Sequence, residues 1–231
     1  MKLILTGCTG MIGSEVLRQA ILHPSITSII VLSRRDLQPS QLSPKVKVII
    51  LSDFTSCPNN IWTDLEEAEA CIWSLGGIPS RFLDLETARK VNIDYPFEAA
   101  KAFIERLCSP GRKFRFLYVS GHAVHRDLEK KNGLFNDAIR IKAEIEIKLN
   151  QLQEENQETF AAYFPRVGSV IPPNNKLLSI AGSLTNSLYP ALKAEELAAS
   201  MIDVAINGGA EQIVSHDELK NRGRSLLDKH L

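Results

Sequence analysis

The sequence lacks any excess of charge of one sign. Its 27 lysines and arginines equal its 27 aspartates and glutamates, so the formal net charge at pH 7 is zero. A chain without a positive field has little means of attracting nucleic acid or an anionic membrane surface. We therefore predict no nucleic-acid partner and no membrane partner.

Long apolar runs and closely spaced cysteines are also missing. No run approaches the roughly 20 apolar residues that a membrane helix requires. Glycine interrupts the apolar N-terminus at position 7, too early for the core of a signal peptide. The 4 cysteines are scattered without metal-ligand spacing and are too few for a disulfide scaffold. These absences predict a cytoplasmic protein with reduced thiols and no metal site.

Short β-branched runs alternate with helical patterns along the whole chain. The strand-like runs are almost continuously apolar, as expected of strands covered on both faces. This alternation predicts an α/β fold: a doubly wound, mostly parallel Rossmann sheet of about six or seven strands with helices on both faces. The predicted strands are 2–6, 28–32, 46–51, 70–75, 114–120, 160–164 and 212–216. The predicted helices are 13–23, 62–69, 84–107, 135–155 and 193–208.

No linker divides the chain, so we predict one domain over residues 1–231. Residues 172–190 are bounded by proline and show no strong period, which predicts a small substrate-side lobe, loop or lid. The apolar residues of this stretch suggest an apolar ligand. They are Leu177, Leu178, Ile180, Leu184 and Leu188.

A glycine-rich loop follows the first predicted strand directly. Gly7, Gly10 and Gly13 are spaced three apart, and a helical pattern begins at the last of them. The first permits a tight turn, the second lets backbone N–H groups approach a pyrophosphate, and the third lets the helix pack closely on the strand. The helix N-terminus then stabilises the anion, so the loop predicts a dinucleotide site. The intervening residues assigned to the cofactor are Thr9, Met11 and Ile12.

The end of the second predicted strand bears on the choice of cofactor. An acidic residue there binds the ribose of NAD, whereas an arginine receives the 2′-phosphate of NADP. The chain reads Ser33, Arg34, Arg35, which favours NADP, although an arginine pair is also common on a solvated surface. Asp53 and Phe54 end the third strand, where Asp53 is placed to meet the adenine or, equally, to cap the following turn.

These motifs resemble those of atypical short-chain dehydrogenases/reductases, similar to the Tat-interacting-protein oxidoreductases and, further out, to NmrA-like proteins. The resemblance runs along nearly the whole chain. It is carried by TGCTGMIG, VLSRR, LSDF, CIWSLGG, VNIDYPFEAAKAF, FLYVSG, IRIKAEIE, YFPRVGSVIP and LKAEELAASMIDVAINGG. It implies a Rossmann domain that binds NADP, with the nicotinamide near the fourth and fifth strands. The residues implied there are Leu75, Gly76 and Gly77.

The resemblance also implies catalytic residues. Members of the superfamily reduce carbonyls with a serine, a tyrosine and a lysine, the last two lying four residues apart on one helix. Ser120 matches the serine, and Lys142 matches the lysine, which would also hold the nicotinamide ribose. The tyrosine position falls on Ala138, which has no proton to donate.

Other positions complete the implied site. Asn92 matches a helix asparagine that extended members often carry, and Arg166 and Val167 match the loop beside the nicotinamide. That loop reads Arg-Val-Gly where relatives tend to read Arg-Pro-Gly. Without a tyrosine, His122 and His125 are candidate proton donors because an imidazole titrates near neutral pH, although both could be loop histidines facing water. A water relayed by Ser120 and Lys142 is a further candidate.

The lysine has an ordinary interpretation as well, because Lys142 borders an apolar helical stripe and could be a snorkelling surface residue.

The leading prediction is an NADP-dependent oxidoreductase acting on a small, apolar carbonyl or enone. Two alternatives remain open: a non-redox isomerase, dehydratase or cyclase on the same scaffold, and a non-catalytic NADP-binding sensor. The expected partner is a small-molecule substrate, and the expected state is a monomer or homodimer.

Overall fold

The computed structural model describes residues 1–38, 41, 43–127, 129, 136–173 and 190–229. The strands are β1 (Lys2–Thr6), β2 (Ser28–Ser33), β3 (Val46–Ile50), β4 (Ala68–Trp73), β5 (Phe114–Tyr118), β6 (Ser120–Gly121), β7 (Phe160–Val167), β8 (Ser169–Ile171), β9 (Ala191–Lys193) and β10 (Ile213–Val214). The α-helices are α1 (Met11–Leu22), α2 (Trp62–Leu65), α3 (Leu85–Arg89), α4 (Tyr95–Leu107), α5 (Asn136–Glu155), α6 (Ala194–Asn207) and α7 (His216–Asp228). A π-helical turn, Lys90–Asp94, joins α3 to α4, and two 3-10 turns cover Asn59–Ile61 and Pro79–Arg81.

Among the described residues, seven strands form one parallel sheet in the order β3-β2-β1-β4-β5-β7-β10, and β6 adds a short parallel pairing to β7. The order reverses between β1 and β4, which are neighbours in the sheet. This arrangement confirms the predicted doubly wound Rossmann fold. In such sheets, ligands bind outside the carboxyl ends of the strands at the point of reversal.

Apolar side chains cover both faces of the sheet. Along β1, Ile4 packs into one core layer, whereas Leu3 and Leu5 pack into the other. The first layer also contains Trp73 and side chains of α4 and α5, and the second contains side chains of α1 and α6. Burial on both faces explains why the strand sequences are apolar without alternation.

The C-terminal helix α7 was not predicted, and the predicted strand 212–216 is wrong at its end. Only Ile213–Val214 is strand. Ser215 caps α7 instead, its Oγ accepting a hydrogen bond from the Glu218 N–H at 3.2 Å. Gly223 of α7 lies against the backbone of Glu196 in α6, too close to leave room for a Cβ.

Two predicted helices differ from the observed ones. The helix predicted over 62–69 ends at Leu65, and the one predicted over 84–107 contains the π-helical turn. Most of the predicted lid, residues 174–189, lies outside the described residues, as do all five of its leucine and isoleucine positions named above. Its flanks are described: β8 and β9 pair in parallel, Ser169 with Ala191.

Candidate active site

The glycine-rich loop, residues 7–13, lies where the sheet order reverses. Gly7 has a φ of 73°, a left-handed conformation that favours glycine. A Cβ at Gly7 would lie 2.6 Å from the carbonyl carbon of Ser74, just beyond β4. The Gly10 N–H donates to the Gly7 carbonyl at 2.9 Å and closes the turn into α1. The loop therefore leaves its surface clear of side chains at these glycines, as a bound pyrophosphate requires.

Gly13 brings α1 onto this turn. A Cβ there would collide with the Gly7 carbonyl and would lie 2.6 Å from the Ser74 hydroxyl. Ser74 in turn donates to the Thr6 carbonyl at 2.6 Å, and the Leu75 N–H donates to the Thr6 hydroxyl at 3.3 Å. These bonds fix the segment after β4 beside the glycine-rich loop. The three glycines and the ends of β1 and β4 form one cradle that fits a dinucleotide.

A cavity of about 270 Å³ opens beside this cradle. Both Arg34 and Arg35 are exposed at its edge, whereas Ser33 is buried and donates its hydroxyl to the Arg35 carbonyl at 2.7 Å. The fold thus brings together many of the residues that the sequence assigns to the cofactor. The residues lining the cavity are Gly7, Thr9, Leu32, Ser33, Arg34, Arg35, Phe54 and Leu75.

Asp53 adopts the second of its two predicted roles. Its carboxylate accepts the Thr55 N–H at 2.8 Å and the Thr55 hydroxyl at 2.6 Å, so it closes the turn after β3. Lys90 pairs with the other carboxylate oxygen at 2.8 Å. The bonds from Lys90 and Thr55 lower the pKa of Asp53 to about 2. The carboxylate therefore closes the turn with Oδ1, and its second oxygen accepts from Lys90 and keeps a lone pair for a further donor.

The segment Leu75–Gly77 is held from below by Asn92, which is fully buried in the π-helical turn. Its side-chain oxygen accepts the Gly77 N–H at 3.1 Å, and its amide donates to the Ala88 carbonyl at 2.8 Å. A Cβ at Gly76 would lie 2.7 Å from the same oxygen, and Gly76 has a φ of 146°. Asn92 therefore positions the segment expected to face the nicotinamide.

Pro96 explains a second contact of this turn. A proline has no N–H, so in a regular helix the carbonyl four residues earlier, that of Asn92, would lack its donor. The buried hydroxyl of Tyr118 supplies one, donating to the Asn92 carbonyl at 3.0 Å. Tyr118 is 1% exposed. Burial and, to a smaller extent, the charge of Glu146 raise the pKa of this phenol.

Lys142 points inward from α5. Its ammonium donates to the Val119 carbonyl at 2.9 Å, lies 3.5 Å from the Tyr118 hydroxyl and sits 4.9 Å from the centre of the Tyr118 ring. Burial lowers the pKa of Lys142 to about 8, although the charge of Glu146 opposes that shift. Lys142 is thus anchored beside the end of β5 rather than extended into solvent, and Ala138 lies half-buried one turn earlier.

The strongest polar contacts of this region converge on Glu146, which the sequence reasoning missed. Its side chain is 0% exposed. The Ser120 hydroxyl donates to one carboxylate oxygen at 2.6 Å, and Arg166 donates to both oxygens at 3.1 and 2.6 Å. Arg126 approaches the second oxygen at 3.4 Å. We call these four residues the Glu146 cluster.

Two predicted site residues belong to the Glu146 cluster. Arg166, matched to the loop beside the nicotinamide, directs its guanidinium to Glu146 and its side chain is 16% exposed. Ser120, matched to the catalytic serine, donates its proton to Glu146. The short pairing of β6 with β7, which sets Ser120 beside Arg166 and Gly121 beside Val167, brings these groups together.

His122 is exposed and lies two residues after Ser120. Its ring packs against that of His216 with the ring centres 5.8 Å apart. His216 is buried at the start of α7, and its Nδ1 accepts the Gly168 N–H at 3.1 Å. Burial and the neighbouring His122 lower the pKa of His216. His122 is therefore at the carboxyl edge of the sheet, with a histidine partner that the sequence did not indicate.

Comparison with known proteins supports the fold more strongly than a reaction. No known protein-family model matches the chain. It is 29% identical over 241 residues to the leucinostatins biosynthesis cluster protein T of Purpureocillium lilacinum, covering 91% of this chain and 87% of that protein.

Solved structures with the same fold are more distant in sequence. The PhqB reductase domain from Penicillium fellutanum is 16% identical with a TM-score of 0.66, covering 93% of this chain and 66% of that one. The dTDP-glucose 4,6-dehydratase DesIV from Streptomyces venezuelae, solved with NAD, is 14% identical with a TM-score of 0.67, covering 100% and 81%. The chain therefore has the Rossmann fold of these structures.

Two features are absent from the described residues. No helix among them is both long and apolar enough to cross a membrane. In the same part of the chain, no group of three or more histidine, cysteine, aspartate or glutamate side chains is arranged to hold a metal ion.

Proposed function

We propose that the protein is an NADP-dependent oxidoreductase that acts on a small, apolar carbonyl or enone and the corresponding reduced product. The observation that carries the proposal is the glycine cradle opening directly onto the cavity edged by Arg34 and Arg35. The exposed guanidinium groups offer the planar donors that suit a 2′-phosphate. The similarity to a biosynthesis-cluster protein and to a reductase domain supports a role in modifying a small molecule.

Residues at different places in the fold would bind different parts of the cofactor and substrate. Residues 7–13 would hold the pyrophosphate with backbone N–H groups at the start of α1. Asn92 keeps the segment Leu75–Gly77 in place beside the expected nicotinamide. When bound, NADPH supplies a hydride, which is chemistry that the protein itself lacks. Lys142 is the one ammonium anchored at the end of β5 among the described residues, and it would hold a ribose hydroxyl or a substrate oxygen.

Cofactor binding is the first test. The purified protein is titrated with NADPH and with NADH while nicotinamide fluorescence is recorded. We expect NADPH to bind more tightly, and we expect Arg35→Ala to weaken NADPH binding roughly 10- to 100-fold, because hydrogen bonds to charged groups contribute about 1.5–3 kcal/mol. NADH binding should change little.

A matched control is Arg106→Ala. Arg106 is also exposed, but it lies in the last turn of α4, at the edge of the sheet where the strands begin. It should leave both affinities unchanged. Failure of the protein to bind either nucleotide would refute the proposal, and equal losses for both nucleotides in Arg35→Ala would refute the preference for NADP.

A second candidate, a non-catalytic NADP-binding sensor, is favoured by one specific observation. The proton of Ser120 is donated to Glu146, and Ala138 has no hydroxyl, so two groups of the usual catalytic set cannot donate to a substrate. A panel of aldehydes, ketones and enones, followed by NADPH absorbance, separates the two candidates. NADPH binding without consumption across the panel would favour the sensor.

A further inference from the structure

The imidazole of His216 lies at the junction between the large sheet and the two short strands β8 and β9. His216 is 1% exposed and is the first residue of α7. Its Nδ1 accepts the N–H of Gly168, the residue between β7 and β8, at 3.1 Å. The backbone of Ala191, the first residue of β9, interacts with the same ring. One buried side chain therefore contacts the backbone where both short strands begin.

The starts of β8 and β9 are packed closely on each other. The Ser169 N–H donates to the Pro190 carbonyl at 2.9 Å, and a Cβ at Gly168 would collide with that carbonyl. Ser169 pairs with Ala191 in the register of the two strands. β8 and β9 form a two-stranded sheet of their own, separate from the large one. The contacts of His216 therefore tie this small sheet to the start of α7.

The hydrogen bond from Gly168 fixes the protonation state of the His216 ring. A nitrogen that accepts an N–H must carry a lone pair, so the imidazole is neutral and its proton is on Nε2. A protonated imidazole carries an N–H at both nitrogens. Its Nδ1–H would face the Gly168 N–H, and two donors cannot bond each other. Adding a proton therefore replaces this hydrogen bond by a contact between two donors.

We propose that His216 is a pH-sensitive clamp: the neutral ring holds the β8–β9 sheet against α7 at neutral pH, and protonation in acid releases it. The clamp lies at the carboxyl edge of the large sheet, because β8 continues almost directly from β7. His122 belongs to the same arrangement, since its N–H donates to the Val167 carbonyl at 2.7 Å and its ring packs on that of His216. The clamp is a property of the fold and does not depend on which reaction is catalysed.

The surroundings of His216 oppose its protonation. Burial is the largest cause of its lowered pKa, and the neighbouring His122 is the next. The start of a helix, where the backbone dipoles place positive charge, is also unfavourable for a cation. The Ala191 backbone and Asp217 act in the opposite direction, whereas Lys220 adds to the lowering. The ring therefore stays neutral at neutral pH and gains its proton only in acid.

Other titratable side chains on the elements packed against α7 face different partners. Among the described residues they are Arg166 (with Glu146) and Tyr163 (beside Gly208) on β7, Lys193 (exposed) on β9, and Glu195 (near Arg18), Glu196 (with Arg224) and Asp203 (with Arg222) on α6. Within the described part of the chain, His122 is therefore the group outside α7 whose charge bears on His216.

Nuclear magnetic resonance of the isotopically labelled full chain tests the clamp. The His216 ring and the Gly168 amide are followed from about pH 8 to about pH 4.5, a range that brackets the ordinary titration of histidine. Amide hydrogen exchange is measured at the same pH values and corrected for its intrinsic pH dependence. We expect the amide and the ring to respond with the same midpoint. The protection of the Gly168 amide should fall roughly 2- to 10-fold through that midpoint, because one neutral hydrogen bond is lost.

Two results in the wild type would overturn the inference. One is a His216 ring that does not titrate over this range. The other is a Gly168 amide that keeps its protection while the ring gains its proton.

His216→Asn separates the clamp from a general effect of acid. The asparagine Oδ1 lies close to the position of the histidine Nδ1, so it can accept the Gly168 N–H, and it does not titrate. We expect the protection of Gly168 in this variant to be independent of pH. His23→Asn is the matched control, because His23 follows α1 at the opposite edge of the large sheet and should leave the transition unchanged.

A transition of Gly168 that persists in His216→Asn, or one that disappears in His23→Asn, would show that another group is responsible and would refute the clamp. If His216→Asn does not fold, the wild type decides alone. Coincident midpoints of the His216 ring and the Gly168 amide then support the clamp, and separate midpoints refute it.

Discussion

Replacing Arg166 by alanine should destabilise the protein far more than removing an exposed arginine. Arg166 holds both oxygens of Glu146, and the carboxylate is 0% exposed. Its removal leaves a buried negative charge with Arg126 at 3.4 Å and the Ser120 hydroxyl as its remaining partners. A buried charge that has lost its main partner cannot recover the solvation that it gave up on folding.

The magnitude follows from that arrangement. Breaking a buried ion pair by removing one partner costs about 3–5 kcal/mol, and the lower end applies here because Arg126 still partly neutralises Glu146. For a domain of this size, each kcal/mol corresponds to roughly 2–4 °C in the midpoint of thermal unfolding. We therefore expect Arg166→Ala to lower the midpoint by about 6–12 °C near neutral pH.

The assay is thermal unfolding followed by circular dichroism, with Arg89→Ala as the matched control. Arg89 pairs with Glu144 at 2.8 Å, but the two side chains are 46% and 29% exposed. Such a pair contributes about 1 kcal/mol at most. The double change Glu146→Leu with Arg166→Met should recover much of the loss because it removes both charges. If Arg166→Ala shifts the midpoint no more than Arg89→Ala does, the Glu146 cluster does not stabilise the strand end as argued.

Three further predictions concern single residues. Burial lowers the pKa of Lys142 from 10.5 to about 8, so between those pH values the unfolded chain binds more protons than the folded one. The free energy of unfolding of the wild type should therefore rise with pH relative to that of Lys142→Met. Urea unfolding at several pH values measures this, and a difference between the two proteins that stays constant with pH contradicts it. Asp53→Asn should change the NADPH dissociation constant less than about threefold, because Thr55 and Lys90 already occupy the carboxylate; a loss above tenfold would show an adenine contact. Ala138→Tyr should raise any carbonyl reductase rate by about 10²-fold, since it restores a proton donor one turn before Lys142; loss of activity would instead show that the alanine makes room for substrate.

The sequence predicted those features that depend on local spacing. The glycine-rich loop could be recognised because each glycine answers a steric demand set within seven residues, from Gly7 to Gly13. The doubly wound parallel sheet could be predicted because alternating strands and helices leave few ways of forming a parallel sheet. The C-terminal helix was missed although its signal was present. Ser215 and Glu218 have capping-box spacing, but the residues of the helix, 216–228, are mostly polar and include only three leucines.

The buried role of Glu146 could not be predicted from the residues around it in the sequence. In the sequence it is one of several glutamates on a charged amphipathic helix, and its neighbours predict a solvated position. Its partners Ser120 and Arg166 are 26 and 20 residues away, and only the pairing of β6 with β7 brings them together above α5. The same pairing places Arg166 against Glu146.

The sequence by itself therefore determined the Rossmann fold and the glycine cradle, because periodicity and backbone sterics act over a few residues. Only the tertiary structure decided which polar groups are already paired. Whether Ser120 donates or accepts depends on a carboxylate buried beside it, and burial is a property of the whole packed sheet. The placement of Lys142, anchored to Val119 rather than free in solvent, was decided in the same way.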